Sequence, residues 1–197
     1  THDRSTQLKS ASTPKEQDMV VFLGADGRIW EYRKNTGALE SKTIQTAEGT
    51  KLSALFVYNQ RLYSIDSEQD QIYKHTRTQT GYDRGTSWIK PNETVNLATV
   101  QALAIDGDIF VLNDDTVIKL VAGRPQTLPL TDLYPALDDP TEIWTYNDVR
   151  YLYILEPANK RVIVLDKDGK LINQYTAEAW QRPTGMVVRE DKGIVYV

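Results

Sequence analysis

Three observations predict an all-β fold of repeated four-stranded antiparallel blades, the β-propeller class. One aromatic residue recurs at near-constant spacing, four strand-like segments surround each copy, and turn-forming residues separate them. The aromatic is Phe22, Tyr63, Phe110, Tyr153 and Tyr196, at spacings of 41, 47, 43 and 43 residues. Each copy sits in an apolar run, such as Val20-Val21-Phe22-Leu23 or Tyr151-Leu152-Tyr153-Ile154. A β-sandwich would also show many short strands, but nothing in it requires one aromatic at a fixed register.

Taken in order, residues 1–18 are almost wholly polar and read as a disordered linker joined to an upstream domain. The propeller occupies residues 19–197, with blades near 19–47, 52–91, 100–131, 141–177 and an incomplete one at 184–197. First strands are expected at 52–58, 100–106, 141–146 and 184–189, so the first blade begins at its second strand. The second strand of each blade carries the aromatic. Third strands fall at 28–32, 71–74, 116–120 and 161–165, and the less regular fourth strands near 41–46, 86–90, 126–130 and 170–175. Between them, Asp26-Gly27, Asn59-Gln60, Asp106-Gly107, Asn147-Asp148 and Asp168-Gly169 place residues that tolerate positive φ where tight hairpins need them. The polar insertion Arg77–Gly85 accounts for the long spacing of 47 and is expected as an exposed loop.

Composition excludes several function classes. The net charge is −4, the pI is near 5.3, and no Lys/Arg cluster is present to neutralise phosphates, which argues against a nucleic-acid partner. No apolar run approaches the length of a membrane span, and the absence of cysteine removes disulfides, thiolate zinc sites and thiol nucleophiles. No secretory h-region is seen, so the compartment is left open, with a lean towards an extracytoplasmic or cell-envelope setting.

The fourth repeat contains Glu156-Pro-Ala-Asn159-Lys-Arg161, then Val162 to Leu165, then Asp166-Lys-Asp-Gly169, and Pro183-Thr184-Gly185 opens the next repeat. These segments resemble the NHL repeat. The second repeat, Arg61-Leu-Tyr63-Ser-Ile-Asp66, is similar to the Tyr-Trp-Thr-Asp repeat. The resemblance spans about 65 residues. It implies a six-bladed ring, of which this chain would supply about four and a half blades, and further blades are expected in the parent protein.

No catalytic residue is assigned from the sequence. A Ser-His-Asp arrangement would rest on His75, since the other histidine, His2, lies in the polar segment; His75 is read as an ordinary surface-strand residue. Asp66, Asn113 and Glu156 each stand three residues after a blade aromatic. Resemblance to lactonase-type propellers implies that this position could hold calcium; turn chemistry explains the same residues without a metal. The run beginning at Asp66 is not an EF-hand loop, because Gln71 and Arg77 stand where its glycine and glutamate belong. Tyr134, Trp180 and Arg182, on two longer Pro-containing connections, are the candidate ligand anchors. A plugging role between blades is the alternative for Tyr134 and Trp180. The expected function is a non-catalytic module binding a protein, peptide or glycan, with a calcium-dependent lactonase or hydrolase as the alternative.

Overall fold

The computed structural model describes residues 8–14, 17–181 and 183–197, and it divides into two compact units, Thr1–Ala98 and Thr99–Val197. The first unit contains β1 (Leu8–Ser12), β2 (Met19–Gly24), β3 (Ile29–Arg33), β4 (Leu39–Ile44), β5 (Leu52–Tyr58), β6 (Arg61–Asp66), β7 (Gln71–His75), β8 (Gly81–Tyr82) and β9 (Thr86–Ser87). Its two sheets run β1-β2-β3-β4-β8 and β5-β6-β7-β9. The second unit contains β10 (Ala102–Ile105), β11 (Ile109–Leu112), β12 (Val117–Val121), β13 (Arg124–Thr127), β14 (Glu142–Trp144), β15 (Leu152–Glu156), β16 (Arg161–Leu165), β17 (Leu171–Thr176), β18 (Val187–Arg189) and β19 (Ile194–Tyr196). These form two antiparallel four-stranded sheets in sequence order and the two-stranded sheet β18-β19. The chain is thus all-β, with blades of the propeller type. Among the described residues no helix is long and apolar enough to cross a membrane.

Strand burial follows chemistry. In β2, Met19, Val21 and Leu23 alternate inward, whereas β11, β15 and β16 are buried throughout and are apolar except for Glu156 and Arg161. The recurring aromatic is buried at Tyr63, Phe110 and Tyr153, where it meets Trp88 edge-on at 5.8 Å, the Lys119 and Lys167 ammonium groups at 5.4 and 5.7 Å, and Trp144 at 6.1 Å respectively. Asn59 and Gln60 both take positive φ, 47° and 60°, as a type I′ hairpin between β5 and β6 requires. Ala122 and Gly123 do the same between β12 and β13, a turn the sequence did not announce.

Two expectations are corrected. Residues 1–18 are not a uniform linker: Leu8–Ser12 is strand β1, paired antiparallel with β2, so the first blade has its first strand. Its polar side chains are satisfied by β5, since Ser10 Oγ exchanges hydrogen bonds with the Leu55 backbone and Ser12 Oγ accepts from the Val57 N–H at 2.9 Å. Nor is the insertion Arg77–Gly85 exposed throughout: residues 77–80 and Arg84 are exposed, but Gly81 and Tyr82 are buried. Its segment β8 adds in parallel to β4, so a loop of the second blade extends the first blade's sheet. Gly81 is required there: a Cβ would lie 1.9 Å from the Thr43 carbonyl oxygen.

Beneath this strap lies Glu31, 1% exposed, which accepts a hydrogen bond from Tyr82 Oη at 2.6 Å and is ion-paired with Arg77, while Lys42 Nζ stands 4.0 Å away. A buried carboxylate is tolerable only when so compensated.

Candidate functional site

The second unit holds an aromatic groove of about 740 Å³. One wall is the face of β15, β16 and β17, presenting Tyr153, Val162, Val164, Ile172 and Tyr175. The other is formed by Trp180, Glu190, Gly193 and residues 194–195 of β19. Tyr153 and Tyr175 reach the groove from different strands because side chains alternate along each strand. Among the described residues β19 pairs only with β18, and Val187 and Tyr196 are 60% and 56% exposed.

Glu190 organises the groove's polar end. Its Oε1 accepts from Tyr153 Oη at 3.0 Å and the Tyr151 N–H at 3.2 Å, and its Oε2 accepts from the Arg150 N–H at 2.7 Å. Burial, reinforced by this bond to a carboxylate, pushes the Tyr153 phenol well above its usual range, so it stays a hydrogen-bond donor. Arg150 in turn lies over the Tyr151 ring at 5.2 Å. The groove therefore combines flat apolar surface with one fixed negative charge.

The predicted anchors are dispersed. Trp180 lines the groove, while Tyr134 is 86% exposed, so it does not plug a gap between blades. Arg182 lies outside the described residues. Tyr151, Tyr153, Tyr175 and Glu190 were not singled out as a site in the sequence; only the recurring aromatic register at Tyr153 hinted at one of them.

Each of the three candidate calcium ligands is buried. Asp66, in the first unit, caps its own turn: Oδ1 accepts from the N–H groups of Lys51, Glu68 and Gln69 at 3.1 to 3.3 Å, while the buried Oδ2 has no hydrogen-bond partner. Asn113, in the second unit, is 8% exposed. Glu156, also in the second unit, is fully buried against Arg161: it accepts from Nε at Oε2 and from Nη2 at Oε1 at 3.0 Å, and its Oε1 also accepts the Asp138 N–H at 2.6 Å. Arg161 spends its remaining donors on the Pro135 and Ala136 carbonyls, at 2.9 and 3.0 Å, and on Gln174. The arginine thereby pins residues 135 and 136 of the long connection onto its own blade. Glu156 holds an ion pair, and a cation there would have to displace a guanidinium. Among the described residues no group of three or more His, Cys, Asp or Glu side chains converges on a metal position.

His75 also departs from expectation. It is buried, 1% exposed, and joined through Nε2 to Ser64 Oγ at 2.8 Å. The neighbouring Lys74 and Thr76 suggested a surface strand, but the register turns His75 inward.

No protein-family model and no curated protein sequence matches the chain. Solved structures do resemble it. A streptogramin B lyase structure aligns with TM-score 0.62 at 17% identity, covering 94% of this chain and 60% of that one. A protein of unknown function from Bacteroides thetaiotaomicron aligns with TM-score 0.59 at 14% identity, over 77% of this chain and 45% of that one. Virginiamycin B lyase from Staphylococcus aureus aligns with TM-score 0.54 at 14% identity, over 90% and 57%. The chain therefore spans about 60% or less of the length of these three structures. At such identity the likeness establishes the β-propeller fold and nothing about chemistry.

Proposed function

We propose that the chain is a binding module whose second unit holds a non-catalytic site, the groove beside Trp180, which takes an extended peptide segment. The observation that carries this reading is the aromatic wall of Tyr153, Tyr175 and Trp180 with Glu190 fixed at its polar end. An extended partner can set alternate side chains into the groove. Tyr and Trp supply rigid contact area at low entropic cost, and the Glu190 carboxylate favours a basic residue among the inserted side chains. The NHL-like spacing of Asn159, Arg161, Asp166 and Gly169 fits a scaffold that presents loops. Selection from a displayed library of random dodecapeptides tests the reading. Enriched sequences should alternate apolar and polar residues with a basic one among them, and should perturb the amide resonances of Ile194 to Tyr196. Enrichment of peptides that bind elsewhere contradicts it, and binding on a glycan array at Trp180 would assign the groove to sugars instead.

A calcium-dependent hydrolase or lactonase is the second reading, and the one observation favouring it is the unpartnered buried Oδ2 of Asp66. The Glu156 environment does not fit the ligand set this reading needs. Titration with millimolar calcium and then EDTA decides: mass-action stabilisation supports a calcium site, and an unchanged melting temperature removes it.

A further inference from the structure

We propose that Ser64 and His75 are a nucleophile and its general base, set at the floor of a polar cavity in the first unit that admits a small acyl ester bearing an anionic group. All of its residues belong to the first unit, and the proposal does not depend on the groove of the second. Ser64 is on β6 and His75 on the adjacent β7, and Ser64 Oγ is 2.8 Å from His75 Nε2. On the far side of the ring, Nδ1 is 2.8 Å from the Asp83 backbone carbonyl. A carbonyl can only accept, so Nδ1 carries the proton, Nε2 is the acceptor, and the Ser64 hydroxyl donates to it. A hydroxyl, a base in the correct tautomer and a third group orienting that base are the parts that nucleophilic catalysis requires. Burial holds the imidazole below its usual pKa and hence neutral, ready to accept a proton.

The surroundings fix this geometry, and a polar cavity lies against the buried pair. Gly85, at φ +73°, covers the ring so closely that a Cβ there would lie 2.8 Å from Nδ1. The Asp83 carboxylate is occupied by the N–H groups of Thr76 and Gly85 at 2.7 and 3.0 Å, which hold its carbonyl in place. A cavity of about 200 Å³ has Ser64, His75 and Leu52 among its lining, all buried, and Thr46, Arg84 and Ser87, all exposed. Its wall also includes Thr50, whose buried Oγ1 has no hydrogen-bond partner. Buried polar groups ordinarily find partners, and a ligand oxygen in the cavity would supply one. Arg84 places a positive charge at the exposed side, which selects for an anion.

In the reaction, Ser64 Oγ attacks the ester carbonyl carbon while its proton passes to His75 Nε2. The carbon–oxygen bond to the alcohol breaks, and the leaving alkoxide takes that proton. Water then attacks the acyl-serine, giving a proton to Nε2. The bond from Oγ to the acyl carbon breaks, Ser64 recovers the proton, and the carboxylic acid departs.

The chain has no cysteine, so Ser64→Cys introduces a single thiol at the proposed nucleophile. Its alkylation by iodoacetate and by iodoacetamide is followed by peptide mass between pH 5 and 9. The expected rate–pH profile inflects below the ordinary thiol value of about 8.5, and adding His75→Gln returns the inflection towards that value. Iodoacetate should outpace iodoacetamide, an advantage lost in Arg84→Ala, which alters only an exposed side chain. With the unsubstituted protein, p-nitrophenyl acetate should leave an acetyl group on the Ser64 peptide. A thiol alkylated only as fast as the protein globally unfolds, or acetyl found on other residues alone, overturns the proposal and leaves Ser64–His75 as a buried structural hydrogen bond.

Discussion

Tyr82 Oη donates a 2.6 Å hydrogen bond to Glu31 Oε1, joining an insertion in the second blade to the central strand of the first across 51 residues. The bond is buried, and its carboxylate acceptor also pairs with Arg77. Removing the phenol would leave Oε1 short of a partner, which for a charged acceptor costs about 1.5 to 3 kcal/mol. Tyr82→Phe is therefore expected to lower the urea midpoint with an unchanged m-value, as a pure stability loss does. An unchanged midpoint would show that the insertion does not brace the first unit.

Arg161 makes the corresponding tie in the second unit. Truncating one member of a buried ion pair costs about 3 to 5 kcal/mol, because the other charge is left uncompensated. In Arg161→Ala, amide exchange protection in β15 and β16 should fall by roughly two to three orders of magnitude. Adding Glu156→Gln should recover part of the loss, because a neutral amide in that position needs no counter-charge. If protection is retained in the single variant, the arginine is not holding the blade.

His75 makes stability depend on pH with a definite sign. Burial lowers its folded pKa, and the bond to the Asp83 carbonyl only partly opposes this. Between that lowered value and the unfolded value of 6.5, the unfolded chain binds more protons, so stability is full above 6.5 and declines as pH falls below it. Glu142 acts oppositely in the second unit. Burial raises its pKa against a 2.7 Å bond from the Met186 N–H, so its contribution is present below 4.5 and is lost as pH rises. The difference between the unsubstituted protein and His75→Gln isolates the first effect, and their denaturant midpoints should converge as pH falls below 6.5. Parallel curves over that range would mean that His75 titrates as it does in the unfolded chain.

The blade period was readable because every blade must present an aromatic at the same register, and the hairpins because positive φ selects Asn, Asp and Gly. Strand β1 was not readable. Leu-Lys-Ser-Ala-Ser has almost no apolar alternation, and its serines are satisfied by a neighbouring strand 45 residues away. The insertion hid its buried Tyr82 among polar neighbours for the same reason: the partner, Glu31, is distant in sequence. Ser64 and His75 each look like solvent-facing residues until the β6–β7 register turns them towards one another. Of the groove, Trp180 was visible as an aromatic on a long connection, but Tyr153 and Tyr175 read as ordinary strand residues. Their convergence with Glu190 depends on packing between two sheets.

The most direct test of the binding reading is the affinity of a library-selected peptide for the unsubstituted protein and for Trp180→Ala, measured by calorimetry. Trp180 lies on a connection between sheets, so its removal should leave the fold intact by circular dichroism. A groove anchored on this indole predicts that Kd rises by about thirty-fold or more, the scale of a hot-spot aromatic worth about 2 kcal/mol. Equal affinity for both proteins would contradict it and place the binding surface elsewhere on the blades.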